Sequence, residues 1–158
     1  MDSYRILGAG CLGHENLQEG WAAYKVEMMS LLLGLFAVAP TVKNCDTSSL
    51  FTVDSATLIP VVPVPGDQVT LNLKYTVPIG YVATEGQVKY DLTYNFIPLA
   101  PAVEPLCANI PCPLGAGTYV NNTVVDWPTG LTGTLVTKIT WTDVLNVRLM
   151  CLQIDAKF

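Results

Sequence analysis

The sequence predicts an all-β protein, an antiparallel sandwich of two sheets. Three observations carry this prediction: two stretches alternate apolar and polar residues with period two, turns rich in Gly and Pro punctuate the chain, and no convincing amphipathic helix follows Ala39. In VTLNLKYTV, the residues Val69, Leu71, Leu73, Tyr75 and Val77 share one face, and Thr70, Asn72, Lys74 and Thr76 share the other. GQVKYDLTYNF repeats the pattern, setting Val88, Tyr90, Leu92, Tyr94 and Phe96 against Lys89, Asp91, Thr93 and Asn95. Further strands are expected over 51–59, 118–126, 134–142 and 146–155, separated by turns such as VPVPGD and WPTGLTG. Each strand can bury one apolar stripe, so six or more of them over residues 40–158 pack as two sheets face to face. No internal repeat or linker divides this stretch.

Composition narrows the function. Of the 158 residues 51% are hydrophobic and 13% charged, about half the roughly 25% charged share of ordinary soluble domains. The net charge is -5, and no cluster of Lys or Arg is present to neutralise a run of phosphates, which argues against a nucleic-acid partner. The longest apolar run, MMSLLLGLFAVA, is about a dozen residues, well short of the roughly 20 needed to span a bilayer. It has the length of a signal-peptide core, with Lys25 before it and the small residues of Ala37-Val38-Ala39 at its end. The expected division is therefore an N-terminal extension plus signal peptide over 1–39 and a mature domain over 40–158, with a buried helix as the competing reading of the apolar run.

Removal of that leader takes away Cys11 and the only histidine, His14, and leaves Cys45, Cys107, Cys112 and Cys151. An even number of cysteines in an oxidising compartment implies two disulfides, with three pairings possible. A four-thiolate zinc site is the weaker alternative, because Cys45 and Cys151 have neither a second cysteine at close spacing nor a nearby histidine. Without a histidine in 40–158, a Ser-His-Asp arrangement is excluded there. Asp46, Asp54, Asp67, Asp91, Asp126, Asp143 and Asp155 are scattered, and are expected at turns or on solvent-facing strand positions. GAG at 115–117 is too short for a phosphate loop. The chain is thus expected to be no enzyme and to carry no cofactor or metal.

The order of NC at Asn44-Cys45, VTLNLKY, YNFIPLAPAVEPLC, CANIPCPLGAGTY, ITW at 139–141 and MC at Met150-Cys151 resembles the ML (lipid-recognition) domain family. That family includes Niemann-Pick type cholesterol carriers and phosphatidylglycerol/phosphatidylinositol transfer proteins. The resemblance covers Asn44 to Phe158. It implies an immunoglobulin-like sandwich with an apolar cavity between the sheets and disulfides Cys45–Cys151 and Cys107–Cys112. A third bridge found in some members is absent, its place taken by LIPVVPVPGD. The resemblance further implies a lipid ligand, sterol or phospholipid, bound and transferred without covalent chemistry. A monomer is expected, making transient contact with membranes or a lipid-accepting protein, in the secretory pathway and ending outside the cell or in a lysosome or vacuole lumen.

Matched position by position, the cavity candidates are Leu71, Leu73, Ile97, Leu99, Val125, Trp127, Leu135, Ile139 and Trp141, with Trp127-Pro128 at the mouth. Such side chains have almost no hydrogen-bonding capacity and suit a lipid tail, which gains about 0.8 kcal/mol per buried methylene. For each of them ordinary core packing is the competing reading. Strand parity sets Phe96 and Ile97 on opposite faces unless a bulge or Pro98 resets the strand. It also turns Asn121, in the acceptor triplet Asn121-Asn122-Thr123, toward the face of Val125 and Trp127, so either a bulge intervenes or no glycan is attached. An immunoglobulin-like interaction domain with a filled core, binding a protein through its loops, is the alternative function.

Overall fold

A computed structural model of the chain describes residues 38–158. The expected signal peptide as far as Ala37, with Cys11 and His14, lies outside the described residues. The domain is built from β1 (Thr41–Asn44), β2 (Thr52–Ile59), β3 (Gln68–Val77), β4 (Gly86–Tyr94), β5 (Ile97–Pro98), β6 (Ala102–Pro105), β7 (Gly117–Asp126), β8 (Thr134–Asp143) and β9 (Arg148–Lys157), with one 3-10 turn at Leu106–Ala108. All pairings are antiparallel. The larger sheet runs β1, β9, β8, β4, with β6 and β5 pairing successive halves of β4; the smaller runs β2, β3, β7. This is the sandwich that the alternating stripes require.

Three expectations need correction. β1 and β6 have no counterpart in the sequence reading, because edge strands of four mostly exposed residues carry no apolar stripe. The last strand begins at Arg148 instead of 146, since Asp143–Val147 form a hairpin turn around Asn146 at φ 61. Phe96 does not continue the buried stripe of β4. The chain reverses at Asn95 and Phe96, whose φ values of 46 and 68 are the paired positive angles of a type I′ turn. That reversal brings Ile97 opposite Tyr94.

The two sheets are unequal, and they meet most tightly at one end. Tyr75 of β3 stacks on Phe51 at 5.9 Å and on Tyr119 of β7 at 5.7 Å, and meets Trp141 of β8 edge-on at 5.4 Å. Val77, Val88, Leu149, Met150 and Leu152 fill the space around these rings. Leu106, Ile110 and Leu114 close the same end from a loop cross-linked by Cys107–Cys112, with Cα atoms 5.6 Å apart. Paired backbone hydrogen bonds between Ala83 and Leu114 pin that loop to the β3–β4 connection. At the side edge, Cys45–Cys151 joins the end of β1 to β9, with Cα atoms 5.2 Å apart. β1 and β2 also approach one another there.

Asp143, expected at the surface, is instead 9% exposed. Its carboxylate accepts hydrogen bonds from Tyr81 Oη at 2.8 Å and from the amides of Leu145 and Val147, each at 2.8 Å. A hairpin that turns within reach of the core must satisfy these donors internally, and one carboxylate does so. Burial pushes its pKa up, but the bonds from Val147, Tyr81 and Leu145 together outweigh that and hold it below the ordinary carboxylate value.

Two measurements test this framework. In the chain-entropy account, replacing Cys45 and Cys151 by Ala costs about 4.7 kcal/mol and replacing Cys107 and Cys112 about 2 kcal/mol, read from denaturant melts. Because the folded pKa of Asp143 is depressed, its contribution is complete above the unfolded value near pH 4 and is lost as the pH falls through the lower folded value. Asp143→Asn is expected to cost about 1–3 kcal/mol at neutral pH and to flatten the acid limb of the stability curve.

Candidate functional site

Burial changes along β4 and β8 in one direction, whereas the inner stripe of β3 is buried from Val69 to Val77. On the inner face of β4, Val88 is buried, while Tyr90, Leu92 and Tyr94 are half-exposed. Along β8 the order runs from buried Trp141 through half-exposed Ile139, Thr137 and Leu135. Register makes these pairs neighbours: Val88 with Trp141, Tyr90 with Ile139, Leu92 with Thr137, and Tyr94 with Leu135. Solvent therefore reaches inner-face side chains in the half of the sandwich away from the Cys107–Cys112 loop. At the other end Leu106, Ile110 and Leu114 of the cross-linked loop add cover over the inner faces, which this end lacks.

Within this half a smaller cluster of Leu58, Val69 and Leu71 packs across the sandwich against Val42, Ile139 and Ile154 of the larger sheet, and against Trp127. Ile139 also touches the larger cluster, so it stands at the boundary between the filled and the open half. Trp127 is half-buried and stacks on Phe158 at 5.4 Å. Its backbone is fixed by the Asp67–Trp127 bond of 2.7 Å and the Gly66–Trp127 bond of 3.0 Å, which fasten the β2–β3 turn beside it. Pro128, also half-buried, ends β7.

The residues singled out from the sequence fall into three groups. Leu73 and Trp141 belong to the filled end. Leu71 is buried in the smaller cluster, which half-buried Trp127 and Ile139 join, and Pro128 and Leu135 are half-buried too. Ile97, Leu99 and Val125 form the rim of the open half, at 64%, 47% and 47% exposure. The type I′ turn settles the parity question: Ile97 returns to the face of Tyr94, and the Leu99 amide donates to Leu92 O at 2.8 Å.

Strand parity in the sequence turns Asn121 toward the inner face, and Thr123 and Thr137 are further polar members that the sequence reading does not single out. Asn121 and Thr123 of β7 pair with Leu73 and Leu71 on the inner face, and Thr137 faces the same space from β8. Tyr90 is pushed to a higher pKa, first by burial and then by the Glu104 charge, so it stays a neutral hydroxyl able to donate. The inner surface is thus apolar with a short polar stripe, suited to holding an amphiphile by contact and hydrogen bonding. Among the described residues no group of three or more His, Cys, Asp or Glu side chains is arranged to hold a metal ion.

Comparison with known families agrees with this architecture. The profile of the ML domain (E1_DerP2_DerF2) matches residues 39–158. The chain belongs to the ML domain family. Among solved structures, a Niemann-Pick type C2 protein from the Japanese carpenter ant aligns at 12% identity with a TM-score of 0.54, covering 74% of this chain and 98% of that one. Chicken MD-1 complexed with lipid IVa aligns at 15% identity with a TM-score of 0.50, covering 75% of this chain and 88% of that one. At these identities the likeness is one of fold. A comparison of the sequence with curated proteins gives no match.

The β3–β7 register is unbroken from Gln68–Asp126 to Val77–Gly117, so no bulge turns Asn121 outward. An ML domain made in a glycosylating cell is expected to carry no glycan on Asn121, and its mass should be unchanged by glycosidase treatment.

Proposed function

We propose that this ML domain binds a lipid between its sheets and transfers it without covalent chemistry. The supporting observation is the gradient of burial along β4 and β8 of the larger sheet: their inner stripes are sealed at one end and partly solvent-reached at the other, while the inner stripe of β3 is buried throughout. A filled sandwich would bury its inner stripes along their whole length, because an apolar stripe left wet forfeits its contribution to folding. Here Tyr90, Leu92, Leu135 and Ile139 keep apolar area free for a guest. Each methylene placed there gains about 0.8 kcal/mol. Asn121, Thr123 and Thr137 supply the hydrogen-bonding stripe that a sterol hydroxyl or a phospholipid ester requires. The ligand class is accordingly an amphiphile, sterol or phospholipid.

In this reading Leu71, Leu135 and Ile139 line the cleft with Tyr90 and Leu92. Ile97, Leu99 and Val125 form its rim, and Trp127-Pro128 its entrance. Leu73 and Trp141 close the floor. The two disulfides fit an oxidising compartment, and this supports a carrier of the secretory pathway, working outside the cell or in a lysosomal or vacuolar lumen.

Organic extraction of protein purified from its source, followed by mass spectrometry, is expected to release lipid at near one per chain; no lipid there, and no uptake of a fluorescent sterol or phospholipid, would leave a protein-binding sandwich instead. Trp127→Ala separates entrance from core. Removing roughly 60 Å² of apolar contact weakens uptake about tenfold at roughly 25 cal/mol per Å². Because Trp127 is half-buried, the stability cost is about 1–2 kcal/mol, below the 3–5 kcal/mol of a fully buried aromatic.

A further inference from the structure

The tip of the β4–β5 hairpin carries a residue that the fold gives no reason to place there. Phe96 is 95% exposed, so its ring contributes almost nothing to packing. It also sits at φ 68, a conformation that glycine takes freely and a bulky side chain takes only under strain. The preceding Asn95 is the residue a type I′ turn favours, and the following position favours Gly.

The turn is held rigidly. Asn95 Nδ2 donates to Thr132 O at 3.1 Å, Asn95 Oδ1 accepts from the Thr134 amide at 2.8 Å, and the Asn95 amide donates to Thr134 O at 2.9 Å. Tyr94 Oη donates to Thr132 O at 2.7 Å. Gly133, at φ 103, leaves room for the Asn95 amide, which a Cβ there would overlap. Phe96 is therefore presented at a fixed position beside the rim of the open half.

Three chain segments at this end are uncharged, bordered by Asp67, Asp126 and Lys157. Residues 92–103, 127–137 and 55–66 contain no Asp, Glu, Lys, Arg or His. They meet at the same end of the sandwich through the Asn95–Thr132 contacts, the Trp127–Phe158 stack and the bonds of Trp127 to Gly66 and Asp67. They also expose Ile59, Val61, Val62, Val64, Ile97 and Leu99. Over 38–158, six basic residues stand against nine acidic ones, so no basic surface is available to seek anionic lipid.

We propose that Phe96 is a rigid apolar anchor by which the open end docks on a lipid surface, and that this docking is driven by apolar insertion into electrically neutral membranes. A protruding, uncharged apolar point lacks the charged and hydrogen-bonding groups that fix the orientation of a protein partner. A fluid bilayer accepts it without shape complementarity. The inference rests on the lipid-binding reading in one respect: the anchored end is the one through which lipid would pass.

Flotation of the full chain with phosphatidylcholine vesicles, against Phe96→Gly, tests it. The full chain should float with these vesicles, vary less than about twofold between low and high salt, and gain nothing from added phosphatidylserine. Phe96→Gly should lose about tenfold or more in vesicle binding while melting at the same or a higher temperature, since glycine relieves the strain at this φ. Uptake of a fluorescent lipid delivered from cyclodextrin, with no membrane present, should be the same for both proteins. Retained vesicle binding by Phe96→Gly, binding only to phosphatidylserine vesicles, or loss of self-association instead of vesicle binding in sedimentation velocity would each overturn the anchor. Failure of cyclodextrin-delivered uptake with Phe96-dependent flotation intact would count against the lipid-binding cleft and leave the anchor standing.

Discussion

The structure depends on how completely one end of the sandwich is packed. Tyr75 lies between Phe51 and Tyr119 and against the edge of Trp141, so four aromatic rings from both sheets form a single contact. Aromatic pairs in such geometries contribute about 0.5–1.5 kcal/mol each beyond the area they bury. Leu106, Ile110 and Leu114 complete the seal from a loop that its own disulfide keeps compact. Stability gathered at this end allows the other end to leave inner-face area uncovered. A domain that spread its core evenly would have no such reserve.

The cross-linked loop gives this packing a direction. The smaller sheet has three strands against six in the larger, so the plug of Leu106, Ile110 and Leu114 at one end is what separates the sealed end from the other. The inner residues of β4 change from buried Val88 to half-exposed Tyr94 as the strand leaves the sealed end. β7, the facing edge strand, answers with Tyr119, Asn121, Thr123 and Val125. Polar inner residues on an edge strand are tolerable because water, or a ligand, can reach them. The same side chains in the middle of the core would be costly.

The rim shows a second division of labour. Asn95 serves the turn, through one hydrogen bond to Thr132 before β8 and two to Thr134 at its start, while Phe96 serves nothing within the domain. Local strain with no packing return is the pattern expected where a residue acts outside its own fold. Asp143 is the opposite case, a charged residue drawn inward because a hairpin needed its donors satisfied.

The sequence by itself determined the sandwich and the long strands, because period-two stripes such as VTLNLKYTV leave one face that must be buried. Of the site it offered Leu71, Leu135, Ile139 and Trp127 as apolar side chains at strand positions, through a family resemblance. It did not separate them from Leu73 and Trp141, which have the same periodicity and chemistry but belong to the sealed end. Only tertiary structure decided that, since burial depends on which strands of the other sheet lie opposite and where a cross-linked loop plugs the end. Nor could periodicity place Phe96, whose parity with Tyr94 was lost at a two-residue reversal lacking the usual glycine. Parity turns Asn121 inward unless a bulge intervenes, and only the unbroken β3–β7 register, a long-range pairing, decides that none does.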